Sequence, residues 1–185
     1  MNTADQKDQK KALRERYRRE RRDRYVPSTF SYLLSAPELV GAKCVTSYIS
    51  IGDEPSTYEL NRELISRGVS VLLPRVAGKA LQWIEWNGDE ANLKETRGLL
   101  EPMGQERMDL SDVDVMIIPA LHIDQDGYRL GQGGGYYDRT LPKMPGWKVG
   151  IVYAGEITGD LLPREDHDVR LAAAATPDLI VRFAH

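Results

Sequence analysis

The sequence predicts an α/β domain whose sheet is mainly parallel and covered by helices. Three observations lead there. Short apolar, β-branched runs alternate with helical segments, as parallel strands with crossover helices require. The chain has 185 residues, enough for one well-buried core. Its composition, 41% hydrophobic and 29% charged, is that of an ordinary globular protein. No linker, repeat or low-complexity stretch divides it, so residues 1–185 are expected to form a single domain.

The first element is a helix from about Asp5 to Tyr25, rich in Lys, Arg, Glu and Ala, ended before Pro27. Ser28 is placed to cap a second helix towards Ser35, closed by Pro37. Cys44 to Ile49 reads as a strand. Gly52-Asp53-Glu54-Pro55 is a turn, and Ser56 or Thr57 caps a helix that runs to Arg67 and stops at Gly68. Val69 to Leu73 is a nearly all-apolar strand cut by Pro74. Residues 80–86 form a weaker strand, and residues 87–111 read as irregular. Asp114 to Ile118 is the strongest buried strand, ended by Pro119. The glycine-rich segment follows, leading into a short helix from about Tyr136 to Leu141. Trp147 to Tyr153 and Asp178 to Arg182 are the last strands.

Charge is unevenly spread. Net charge is -3, yet residues 1–24 hold ten Lys/Arg against five Asp/Glu. That basic arm supplies either a solvated helix face, positive charge for an anionic ligand, or a nucleic-acid contact. Its many arginines cannot all face one phosphate site. The single cysteine, Cys44, cannot form an internal disulfide, and no apolar run approaches a membrane span or a secretory h-region. A cytoplasmic protein without membrane or nucleic-acid partners is expected. No Cys/His spacing suggests zinc. His122 reads as a packing or hydrogen-bonding residue, and Trp83 and Trp86 as core or groove wall.

The chemistry concentrates in Arg129-Leu130-Gly131-Gln132-Gly133-Gly134-Gly135-Tyr136-Tyr137-Asp138-Arg139. Four glycines in five positions are costly in backbone entropy. They make sense where backbone N–H groups must approach a bulky anion and form a nest for phosphate oxygens. A helix start after Gly135 adds its positive end. Arg129 and Arg139 can supply bidentate charge. Asp138 is a hard carboxylate where a Mg²⁺ ligand is needed. The Gly-Lys-Ser/Thr ending of a Walker loop is absent. The dinucleotide fingerprint also fails, because Tyr136 stands where its third glycine would be and no preceding strand is expected to run into the loop. The competing reading is a flexible surface loop, against which stand the flanking arginines and the paired Tyr136-Tyr137.

This stretch resembles the signature of the 5-formyltetrahydrofolate cyclo-ligase family. Other segments match that family in order: Lys10-Lys-Ala-Leu-Arg14, Tyr48 through Glu54 and Thr57, Leu73-Pro74-Arg75-Val76, Leu100-Glu-Pro102, Asp114 to Pro119, Leu162-Pro163 with His167-Asp168, and Thr176-Pro177. Gln132 and Leu171 depart from its usual pattern. The resemblance implies a three-layer α/β/α domain with a mainly parallel central sheet and a basic N-terminal helix. It implies an ATP- and Mg²⁺-dependent enzyme that converts 5-formyltetrahydrofolate to 5,10-methenyltetrahydrofolate with release of ADP and phosphate, through a phosphorylated formyl group.

Residue roles follow from the same resemblance. Lys10, Arg14, Arg75 and the stretch Arg129 to Asp138 would hold ATP. Glu54, Arg129 and Tyr136 would carry the chemistry, with Glu54 contacting folate and Tyr136 bordering it. Asp138 and Asp168 would hold Mg²⁺. A monomer acting on small molecules is expected. A relative that binds nucleotide or folate without turnover, and a nucleic-acid module built on the basic helix, are the alternatives.

Overall fold

The structure, a computed structural model, describes residues 3–184. Helix α1 (Thr3–Arg24) comes first. A 3₁₀ turn at Ser31–Ser35 and a one-turn helix α2 (Pro37–Val40) replace the single helix expected after Ser28. Pro37 starts α2 instead of closing a helix, because a missing N–H is harmless in the first turn. Strand β1 (Cys44–Thr46), helix α3 (Tyr58–Ser66) and strands β2 (Ser70–Ala77) and β3 (Ala80–Trp86) follow.

Next come β4 (Leu93–Thr96), β5 (Leu99–Pro102), β6 (Val115–Pro119), β7 (His122–Asp124), β8 (Arg129–Leu130) and helix α4 (Tyr136–Thr140). The chain ends with β9 (Trp147–Ile151), β10 (Ile157–Thr158), β11 (Ala173–Ala175) and β12 (Ile180–Arg182).

Seven strands form the main sheet in the order β12-β11-β9-β6-β1-β2-β3. The five inner strands are parallel; β3 and β12 pair antiparallel at the edges. Parallel strands are covered on both faces, which is why Val115 to Ile118 is continuously apolar and fully buried. Val45, Ile117 and Val149 face a core closed by Phe30, Leu33, Leu60 and Leu64 from the 3₁₀ turn and α3. Met116, Ile118 and Ala174 face the opposite core with Leu141, Met144, Ile123 and Phe183. There the covering layer combines α4 with a three-stranded sheet, β10-β7-β8. The small sheet lies close on β9: a Cβ on Gly150 would meet Ile123 Cδ1 at 2.5 Å.

Several boundaries differ from expectation. Strand β2 runs through Pro74 to Ala77. Val76 N–H leaves the β3 side and donates to Glu101 Oε1 at 2.8 Å. Two residues earlier, the nitrogen of Pro74 faces the same way, so its missing N–H costs no bond to β3. Residues 87–111 hold a hairpin, β4–β5, closed by Arg97 (φ 54°) and Gly98 (φ 79°), the positive pair that a tight two-residue turn needs. Asp114 leaves the strand, and its carboxylate accepts from Lys43 and Cys44 N–H. Strand β8 leads directly into the glycine loop, where none was expected.

Candidate active site

Beyond β1 the chain turns to α3 and β2 on one side, and β6 then returns to the other side of β1. At such a switch point the connections part and open a crevice beyond the strand ends. Here that crevice is a cleft of about 1120 Å³. Tyr48, Ile49 and Glu54 line it from the segment after β1, and Pro119 from the end of β6. The glycine loop and the cationic side of α1 close the other walls.

Arginines hold the loop by its carbonyls. Arg14 Nε donates to the Gly131 carbonyl (3.0 Å), Arg18 to the Gln132 carbonyl (2.7 Å), and Arg139 to the Gly134 carbonyl (2.9 Å). The N–H groups of Gly133 and Gly134 have no protein acceptor among the described residues. Gly133 (φ +103°) and Gly135 (φ +66°) adopt backbone angles that other residues rarely take, and a Cβ on Gly135 would lie 2.7 Å from Arg139. Open amides ringed by guanidinium groups make an anion nest. Helix α4 has only five residues, so its dipole adds little beyond its own first amides.

Arg129 pairs with Asp138 at 2.5 Å, its side chain 5% exposed. Its Nε and the Tyr137 hydroxyl are buried with no hydrogen-bond partner among the described residues. Burial and the neighbouring Glu54 carboxylate push the Tyr137 phenol up, against the pull of Arg129. The Tyr137 ring lines the cleft with the Arg129 guanidinium 5.6 Å from its centre.

That acid is Glu54. Its Oε2 accepts from Ile51 N–H and its Oε1 from Gln132 Nε2, both at 3.2 Å. Its carbonyl accepts from the Tyr153 hydroxyl at 3.1 Å. Burial raises the Glu54 carboxyl above its ordinary value, against the downward effect of those hydrogen bonds.

Helix α1 is docked by its long polar side chains. Arg21, 3% exposed, grips Glu156 with two 2.7 Å bonds and the Ala120 carbonyl with another. Tyr17 stacks on His122 at 3.9 Å. Burial lowers the His122 pKa to about 4, so it packs as a neutral ring. Lys10 reaches Glu165 (2.9 Å) and Asp168 (2.7 Å). Lys7, Lys10, Arg14, Arg18 and Arg22 recur every three or four residues and all line the cleft. More of the basic arm faces the site than its count of arginines suggested. Burial, then the neighbouring Arg18, lowers the Arg14 pKa.

Lys10→Ala is expected to destabilise the fold by about 3 kcal/mol, because it leaves two largely buried carboxylates facing each other. Urea denaturation measures this, and Lys10→Arg is expected to restore most of it.

The cleft gathers most of the residues expected from sequence: Lys10, Arg14, Glu54, Arg129, the loop from Gly131 to Gly135, Tyr136, Tyr137 and Asp138. Three stand apart. Arg75 is directed to Gln82 and the Gly104 carbonyl. Leu130 is buried beneath the loop. Asp168 clusters with Glu165 and His167, their ligand atoms within 4.8 Å of one another, and not with Asp138. Arg18, Glu101 and Glu165 line the cleft or hold it without having been singled out; the helical spacing of Arg18 from Arg14 was the available signal.

A switch-point cleft with an anion nest, convergent cations and a half-buried acid suits an α/β enzyme that acts on small molecules. The 5-formyltetrahydrofolate cyclo-ligase family model matches residues 4–177, and the chain belongs to that family. A 5-formyltetrahydrofolate cyclo-ligase of Mycolicibacterium smegmatis is 32% identical over 148 residues, 75% of each chain. That of Escherichia coli is 31% identical, over 80% of this chain and 85% of its own. Among solved structures, the 5,10-methenyltetrahydrofolate synthetase of Aquifex aeolicus superposes with a TM-score of 0.80 at 31% identity, covering 95% of this chain and 93% of that one.

Proposed function

We propose that this enzyme cyclises 5-formyltetrahydrofolate to 5,10-methenyltetrahydrofolate at the expense of ATP, with Mg²⁺. The observation that carries the reading is the bond between Gln132 of the glycine loop and Glu54, 78 positions earlier. It joins an anion nest to an acid inside one cleft, so a triphosphate and a second substrate can meet there.

The loop amides, Arg129, Arg14 and Lys10 receive the triphosphate. The formyl oxygen attacks the γ-phosphorus, the bridging P–O bond breaks and ADP departs. The formyl carbon is then an N5-iminium carrying phosphate. N10 attacks that carbon, the C–O bond breaks, inorganic phosphate leaves and N10 gives up its proton. The protein's part is positioning and charge stabilisation. Arg129, buried and forked, meets charge building on the transferred phosphoryl group. Ionised Glu54 accepts from the folate, orients the formyl group and offsets the positive iminium. The Tyr136 ring, with Arg139 5.4 Å above it, borders the flat substrate.

Asp138 fits a Mg²⁺ ligand. Its Oδ1 accepts from Arg129, and its Oδ2 has no protein donor among the described residues. When bound, the ion would neutralise phosphate charge beside the loop. Asp168, paired with Lys10 and set apart from Asp138, is not placed to share that ion.

The phosphorylated formyl group is tested by labelling the formyl oxygen with ¹⁸O. The label is expected in the released phosphate, one atom per turnover. Label found in water instead would overturn that route.

A further inference from the structure

Within the same cleft, β5 places one carboxylate among apolar neighbours. Glu101 is 7% exposed and lines the cleft, with Pro74, Val76, Leu81, Leu99 and Leu100 around it. One oxygen, Oε1, accepts from Val76 N–H at 2.8 Å and thereby ties the hairpin to β2. Among the described residues no Lys or Arg lies within ion-pair distance of it, and Oε2 has no protein donor. A carboxylate so enclosed is expensive unless something donates to it. A backbone clamp alone explains one oxygen and would be met equally by an amide.

We propose that Glu101 is a specificity-determining residue that reads the donor edge of the pterin ring, its N3–H and 2-amino group. This rests on the cyclo-ligase reading above. Two adjacent N–H donors match the two oxygens of a carboxylate, since Oε1 keeps a second lone pair. The apolar walls suit a flat heterocycle. An adenine edge is a poorer match, because it offers a ring-nitrogen acceptor beside its amino group. The assignment gives the cleft two acids with different tasks. Glu101 holds the pyrimidine end of the pterin, while Glu54, tied to the glycine loop, serves the reacting end.

The test is Glu101→Gln, which keeps an oxygen for Val76 N–H and removes the second acceptor. Binding of 5-formyltetrahydrofolate and of ATP is measured separately by calorimetry, with wild type, Glu101→Gln and Glu101→Ala, alongside urea denaturation. Glu101→Gln is expected to weaken folate binding by about 10- to 100-fold, as for other hydrogen bonds to charged groups. ATP affinity and the unfolding midpoint are expected to stay unchanged. A folate analogue carrying methyl in place of the 2-amino group is expected to lose most of the preference for wild type.

Equal folate binding by wild type and Glu101→Gln overturns the assignment and leaves the cyclo-ligase reading standing. Weakened ATP binding overturns it in favour of adenine. Failure of wild type itself to bind 5-formyltetrahydrofolate overturns both. Glu101→Ala is expected to lower the unfolding midpoint as well, separating the clamp on Val76 from the recognition.

Discussion

Arg129→Ala is expected to lower kcat by about 10²–10³-fold, the cost of removing one preorganised donor from developing charge. Arg129 is suited to that role by its enclosure. Its side chain is 5% exposed and is held by Asp138, so its charge is not spread into water. Its Nε is enclosed, with no hydrogen-bond partner among the described residues. Arg129→Lys keeps the charge but loses the planar fork, and is expected to recover only part of the rate. Calorimetric titration with ATP separates the effects: a rate loss much larger than the loss of ATP affinity marks a contact made in the transition state. A loss confined to ATP affinity would make Arg129 a binding residue only.

Glu54→Gln carries the second large effect, a fall in kcat/KM of about 10²-fold or more near neutral pH. It should also alter the pH profile. Burial raises the Glu54 carboxyl, so the wild-type acid limb is expected above the ordinary carboxylate value of about 4.3. Below that limb Glu54 is protonated and cannot offset a positive iminium. In Glu54→Gln the limb disappears.

The same shift has a stability consequence of opposite sign. A carboxyl whose folded pKa is raised costs stability above the folded pKa and costs none below the unfolded one. Glu54→Gln is therefore expected to melt somewhat higher than wild type at neutral pH, with the difference vanishing on acidification. An active, pH-indifferent Glu54→Gln would remove Glu54 from the chemistry.

The glycine loop was legible because its chemistry is local. Consecutive glycines between Arg129 and Asp138 have few reasons to exist other than close approach of backbone to an anion. The inner strands were legible for a similar reason, since Val115 to Ile118 is apolar without interruption. What escaped depends on partners distant in sequence. The hairpin β4–β5 carries an Arg at the first turn position, where Asn or Gly is the usual signal. Strand β11 is Ala173-Ala174-Ala175, poor strand formers held only by β9 and β12 on either side. Pro74 seemed to end a strand, because nothing local shows that its nitrogen faces the Glu101 side. The stripe on α1 was hidden by the number of its arginines. Its facing became evident only once Arg14 and Arg18 met carbonyls of the loop more than a hundred positions away.

The central claim is that one cleft brings ATP, Mg²⁺ and 5-formyltetrahydrofolate together for cyclisation. The most direct measurement is the absorbance of the methenyl chromophore after mixing the protein with all three, and with each omitted in turn. The account predicts a rise that requires all three and is greatly slowed in Asp138→Ala and Glu54→Gln. No rise from a folded protein that still binds ATP would contradict it, and would leave a family member that holds its ligands without turning them over.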